Sequence, residues 1–270
     1  MTASPSLLAV LAHPDDESLA CGGLLAWCAE RGARVSLLCL TRGEHGPGGR
    51  PEDLGAKRAL ELEQAARVLG VRETTLLGYE DGMLPWLDAT RLEAEIRDAI
   101  DRLRPEVVVT FDEDGLYGHP DHVAVHELTA AAVSAFGEAG PALFYVSMPR
   151  GAMRSLVDAG RARSVDTPTD SSHVGYVAPI AVVLGVGDPD AFGAMAPPPT
   201  LVLDVQRFAV TKLHALRCHR TQVAGTVVEL LHDDDAEVVL GVEHYRRARV
   251  GAAGRTFVDE WAGNLADVPR

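Results

Sequence analysis

An α/β fold, with helices on both faces of a mostly parallel sheet, is predicted by three observations on this 270-residue chain. Short aliphatic and β-branched runs alternate with longer segments of helical period. Strands so separated need crossovers, which are right-handed and set the strands parallel. The two most polar turns of the first half also leave β-rich runs, where open α/β sheets place their ligands. The expected architecture is a Rossmann-like, doubly wound sheet with a C-terminal covering segment.

The elements follow in order. Leu7 to Ala12 reads as the first strand, followed by a helix over Leu19 to Arg31, a strand at Val35 to Thr41 and a helix over Ala56 to Leu69. A strand at Thr75 to Tyr79 leads to a helix from Thr90 to Leu103, stopped by Pro105, whose ring cannot continue a helix. Next come a strand at Glu106 to Phe111, a helix from Asp121 to Phe136 and a strand at Ala142 to Met148. Gly151 to Pro199 is rich in Gly, Pro and Ser, with one apolar run at Tyr176 to Val186, and reads as a covering insertion. A strand at Leu201 to Val205 and a helix from Arg207 to His219 return the chain to the core. No linker or repeat divides it, so a single domain is expected over 1–270, made of a core (1–150), the insertion (151–199) and a returning C-terminal part (200–270).

Composition narrows the function classes. With 47% apolar, 24% charged and 5% aromatic residues the chain is neither fibrous nor disordered. A core of this size needs no metal to stay folded, so a metal site would be functional. Twenty-five Lys and Arg against 39 Asp and Glu leave a net charge of −14, which repels phosphate backbones and anionic lipid. Nucleic acid and membrane are not expected partners, and no apolar run approaches the ~20 residues that cross a bilayer. Cys21, Cys28, Cys39 and Cys218 form no C-x-x-C pair, and three lie in apolar runs as reduced thiols do. The start carries no basic leader, so the cytoplasm is the expected compartment. A homo-oligomer is compatible with the sequence, although no heptad or apolar stripe marks an interface.

One local pattern occurs twice: His13-Pro14-Asp15-Asp16 and His119-Pro120-Asp121-His122. Each is expected to open a helix, with Pro in the first turn. Positions i and i+3 point the same way, so His13 with Asp16, and His119 with His122, can converge. In strand order 3-2-1-4-5 the first and fourth strands are neighbours, which brings both turns to the switch point of the sheet. Two imidazoles and one carboxylate with a position left for water make a catalytic zinc set, and iron(II) or another divalent ion could use the same donors. Asp15, facing away from such a metal, could serve as general base. Whichever histidine of the second turn is not a ligand could act as an acid or beside an oxyanion, with Asp121 fixing its tautomer. Tyr117 offers a hydroxyl to the same cleft. Neither G-x-G-x-x-G nor a P-loop lysine follows the first strand, against a nucleotide-dependent reaction.

These motifs resemble the LmbE/PIG-L-like family of zinc-dependent N-acetyl sugar deacetylases. A-H-P-D-D-E after the first strand and G-H-P-D-H after the fourth are its two signatures. R-A-L-E at Arg58 to Glu61, L-G-Y-E-D-G-M at Leu77 to Met83 and K-x-x-x-L-x-x-H-x-x-Q from Lys212 to Gln222 extend the likeness. The resemblance implies His13, Asp16 and His122 as zinc ligands and Asp15 as the base. It implies His119 as a protonated partner held by Asp121, Tyr117 as an oxyanion donor, and Arg58 and Asp81 as groups gripping sugar hydroxyls. Y-G-H-P-D-H and the later E-H-Y are similar to the branch that handles mycothiol, which implies a glucosaminyl-inositol substrate. A thiol-conjugate amide, an antibiotic aminosugar, or sugar binding without catalysis are the alternatives. The chain departs from that branch by running from Leu84-Pro85-Trp86 straight into the third helix, and in the covering segment.

Overall fold

The computed structural model describes residues 4–166 and 182–263. Its strands are β1 (Ser6–Leu11), β2 (Arg34–Thr41), β3 (Glu73–Tyr79), β4 (Val107–Phe111), β5 (Ala142–Val146), β6 (Leu201–Asp204) and β7 (Val242–Gly251). The larger helices are α1 (Asp16–Glu30), α2 (Pro51–Val68) and α3 (Ala89–Leu103), and, after the short turn α4 (Gly115–Gly118), α5 (Pro120–Ser134), α6 (Ala152–Asp166) and α7 (Ala209–Cys218). One seven-stranded sheet has the order β3-β2-β1-β4-β5-β7-β6. The first five strands are parallel and in the predicted order. Every residue of β1, β4 and β5 is buried, as expected of strands covered by helices on both faces. With β1 paired to both β2 and β4, the carboxyl ends of β1 and β4 form the switch point.

On the far side of the sheet β6 matches the strand expected at Leu201 to Val205, whereas β7 was not predicted. β7 enters antiparallel between β5 and β6, although its sequence, V-E-H-Y-R-R-A-R-V-G, carries too many charges to read as a strand. Its charges are paired: Arg246 with the fully buried Asp112, and Arg247 with Asp259 at 3.3 Å. Within the covering insertion the structure adds α6, packed through Met153, Leu156 and Val157. Of the run Tyr176 to Val186, the part up to residue 181 lies outside the described residues, and Val183 forms a β-bridge with Val186. Among the described residues no helix is long and apolar enough to cross a membrane.

Helix α1 carries the first ligand turn and is buried from Asp16 to Cys28. It breaks at Cys21 (φ −144°, ψ 18°), and the break releases backbone donors. Gly23 and Leu24 donate N–H to Glu243 Oε1 and Oε2, each at 2.8 Å. Lys212 Nζ lies 2.6 Å from Oε1, and the Tyr245 hydroxyl donates to Oε2 at 2.7 Å. A Cβ on Gly23 would sit 2.6 Å from Val205 Cγ2, so only glycine fits beneath this clamp. The lysine of the Lys212 to Gln222 segment and the E-H-Y thus seal a helix break. Truncation to Glu243→Ala strands a buried ammonium and three donors, and is expected to cost about 3–5 kcal/mol. A lower urea midpoint at unchanged m-value is the expected readout, and an unshifted midpoint would contradict the clamp.

Candidate active site

The two ligand turns meet at the switch point. The first leaves β1 through Asp15, which has a left-handed backbone (φ 116°, ψ −25°), a conformation costing a non-glycine residue about 1–3 kcal/mol. Pro14 therefore precedes the helix instead of lying in its first turn as predicted. The turn has to reverse at Asp15 to send Asp16 back over His13. In the second turn Pro120 does occupy the first helical position of α5.

Three donor atoms converge. His13 Nδ1 lies 3.2 Å from His122 Nε2, and the Asp16 carboxylate approaches them at 3.5 and 3.3 Å. The other ring nitrogens fix the tautomers. His122 Nδ1 donates to the Gly115 carbonyl at 3.1 Å, while His13 Nε2 faces Asp81 Oδ1 at 3.0 Å and Asp121 Oδ2 at 3.1 Å. With those protons engaged, two bare nitrogen lone pairs and a carboxylate face one another in a buried space. That arrangement is repulsive unless a proton or a metal cation sits among them, and the donor set is of the kind that binds a divalent metal through imidazole and carboxylate. The ring nitrogens of His13, His119 and His122 also lie mutually within 4.8 Å.

The electrostatics follow from burial against these partners. Burial pushes Asp16 up, but the His122 and His13 imidazoles hold it well below the usual carboxylate range. Burial would depress His13, yet Asp121, Asp16 and Asp81 raise it well above an ordinary imidazole. Burial works against Asp81 too, and His13 holds it down at about 2. Asp15 touches none of the donor atoms. Its Oδ2 lies 3.1 Å from Arg58, and burial raises it to about 6 despite that guanidinium. It is thus ionised at neutral pH, yet more basic than a free carboxylate.

His13, Asp15, Asp16 and His119 line a cleft of about 240 Å³, walled by Tyr117, Phe192, Leu184 and Val186. Part of the covering segment therefore does border the site: Phe192 packs on Tyr117 at 4.8 Å between ring centroids, and Gly193 N–H donates to the Leu116 carbonyl at 2.8 Å. Tyr117 stands edge-on to His119 and His122, and burial keeps its phenol protonated.

Comparison with known proteins gives the site its setting. A family model described as PIG-L, GlcNAc-PI de-N-acetylase, matches residues 8–133. A 1D-myo-inositol 2-acetamido-2-deoxy-alpha-D-glucopyranoside deacetylase of Acidothermus cellulolyticus is 33% identical over 271 residues, covering 89% of this chain and 87% of that relative. The chain belongs to the PIG-L family. Among solved structures, N,N'-diacetylchitobiose deacetylase of Pyrococcus horikoshii is similar with a TM-score of 0.59 at 20% identity, over 91% of this chain and 84% of that one. The 4-carboxy-2-hydroxymuconate hydratase GalB of Pseudomonas putida KT2440 reaches 0.62 at 17% identity, over 93% and 99%. A deacetylase and a hydratase on one architecture show that the sheet alone does not choose the chemistry.

Within this PIG-L site two expectations need correction. The Asp121 carboxylate does not hold His119. It lies on His13 and accepts N–H bonds from Gly82 at 2.7 Å and Leu84 at 3.1 Å, because the Asp81–Leu84 loop closes over the start of α5. His119 caps that helix instead, its Nδ1 accepting the Asp121 N–H at 3.2 Å. Nor does the surroundings favour a protonated His119: burial and the neighbouring His122 and His13 push it down to about 4, leaving a neutral ring with Nε2–H to donate. Arg58 and Asp81 do border the cleft, yet their bonds run inward. Arg58 donates to the Gly43 and Pro14 carbonyls as well as Asp15, and Asp81 accepts from His45 N–H at 3.0 Å.

Because Asp121 orients His13, Asp121→Asn is expected to weaken metal affinity 10–100-fold. Competition against a chromophoric chelator measures this, and unchanged affinity would show that His13 is oriented without it. Two buried groups were not anticipated as part of the site: Glu17, the last residue of A-H-P-D-D-E, and His219, already visible within the Lys212 to Gln222 segment.

Proposed function

We propose that this chain is a zinc-dependent N-deacetylase of a small N-acetylglucosaminyl glycoconjugate of the glucosaminyl-inositol type. The observation that carries the reading is a buried carboxylate, Asp15, raised to about 6 and standing outside a His-Asp-His donor set. A binding protein would need the donor set but not that base. The relative named above, which deacetylates such an inositol glycoside by its name, supplies the substrate class.

Zinc held by His13, Asp16 and His122 would polarise the amide carbonyl and acidify a water, and iron(II) could serve in its place. Asp15 takes the proton of that water as the C–O bond forms. The Tyr117 hydroxyl and His119 Nε2–H donate to the developing oxyanion, each such donor being worth on the order of 3 kcal/mol. Asp15 then returns the proton to the departing nitrogen as the C–N bond breaks, releasing a free amine and acetate. Arg58, whose Nε is buried without a partner among the described residues, and Asp81 are the groups we assign to sugar hydroxyls.

The test is amine release from a panel of N-acetylglucosaminides, including the inositol conjugate, with and without chelator. Chelator-sensitive release that zinc restores, greatest for the inositol conjugate, is expected. No release from any member by zinc-loaded protein would overturn the reading.

A further inference from the structure

The left-handed backbone of Asp15 needs something to hold it, and what holds it is a buried pair outside the metal donors. Glu17 Oε2 accepts the Asp15 backbone N–H at 3.0 Å. Glu17 Oε1 lies 2.7 Å from His219 Nε2 and accepts from the Ser18 hydroxyl. Glu17, Ser18 and His219 are fully buried. The second ring nitrogen of His219, Nδ1, has no partner among the described residues, so Glu17 alone directs the ring.

Stability does not account for such a pair, since replacing buried ion pairs by apolar side chains is often neutral or favourable. The carboxylate does what no apolar side chain could: it engages the N–H of the residue in the strained turn. We infer that Glu17 and His219 are positioning residues that lock the Asp15 backbone, and with it the direction of its carboxylate, from the C-terminal half of the chain.

The placement of His219 supports this. It stands at the end of α7, and the residues two and three positions further on are tied elsewhere around the cleft. Thr221 N–H donates to Glu61 on α2 at 2.9 Å, and Gln222 Nε2 donates to the Pro47 carbonyl at 2.8 Å. The segment is thus pinned to the loop after β2 on one side and to the first turn of α1 on the other. On the far side of Asp15, Arg58 holds the carboxylate while donating to the Pro14 and Gly43 carbonyls. Asp15 is gripped at its N–H by Glu17 and at its carboxylate by Arg58, and neither grip uses a metal donor atom.

The inference rests on the proposed reading in taking Asp15 as the base, so its test includes a readout independent of turnover. His219→Leu, His219→Gln and Glu17→Met would be compared with wild type for kcat, KM, zinc stoichiometry and hydrogen–deuterium exchange of the Asp15 amide. The Leu variant is expected to lose at least tenfold in kcat with KM within twofold and zinc content unchanged, while exchange at Asp15 accelerates tenfold or more. The Gln variant at 219, which can still present a donor to Glu17, should recover most of kcat and of the protection. Should the Leu variant not fold, Glu17→Met decides: it fills the space but offers the Asp15 N–H no acceptor oxygen, and the same loss in kcat and protection is expected. Wild-type exchange at Asp15 in every folded variant would overturn the inference even if activity fell. Wild-type protein inactive on the whole panel would instead overturn the deacetylase reading, while the exchange data would still judge the positioning.

Discussion

Replacing Asp15 by asparagine is expected to lower kcat for amide hydrolysis by about 10²–10⁴-fold, the range supplied by a positioned general base. The zinc content should not change, because the Asp15 carboxylate bonds to Arg58 and contributes no atom to the His13–Asp16–His122 set. Asparagine keeps the size of the side chain and an oxygen for Arg58, so the fold at the turn should persist. What disappears is the proton acceptor. Amine release and metal analysis on the same preparation check both halves. Wild-type turnover would remove Asp15 from the chemistry, and loss of zinc would make it a ligand. The intermediate basicity favours its role, since a carboxylate near 6 is ionised at neutral pH yet binds a proton more tightly than an exposed one.

How far the sequence reached depended on which interactions were local. β1 and β4 are apolar, β-rich runs followed by H-P-D turns, so their adjacency, and the convergence of His13 and Asp16 with a histidine of the second turn, followed from topology and i, i+3 spacing, while the resemblance singled out His122. The direction of Asp121 did not follow, because spacing shows which face of α5 a side chain takes but not which loop closes over it. Gly82 and Leu84, almost forty residues earlier in the chain, supply the N–H groups that draw that carboxylate away from His119. β7 escaped because its Glu243, Arg246 and Arg247 find partners only once the fold is assembled, and a strand of such residues reads as a solvated loop. The hydrophobic face of α6, Met153, Leu156 and Val157, was present at helical spacing but set among glycines and prolines. Glu17 and His219, 202 positions apart, could be linked only by the fold.

Removing the imidazole of His122 should have the largest effect on the metal. Its Nε2 is one of the three converging donors, its Nδ1 is spent on the Gly115 carbonyl, and its ring stacks on Phe111 with centroids 4.0 Å apart and planes 3° from parallel. His122→Ala therefore removes a donor and opens a hole beside Phe111. Turnover is expected to fall to background and zinc affinity by more than the 10–100-fold attributed to an orienting partner. The hole alone would lower stability, so lower stability is not the decisive readout. A ligand that binds only the native state stabilises it in proportion to its affinity, about 4 kcal/mol at a thousandfold excess over Kd. Zinc should accordingly raise the Tm of the wild-type protein and leave that of His122→Ala unmoved, whatever the starting Tm of the variant. A zinc-dependent rise of equal size in both would place the ion away from His122, and with it away from the cleft that Asp15 faces.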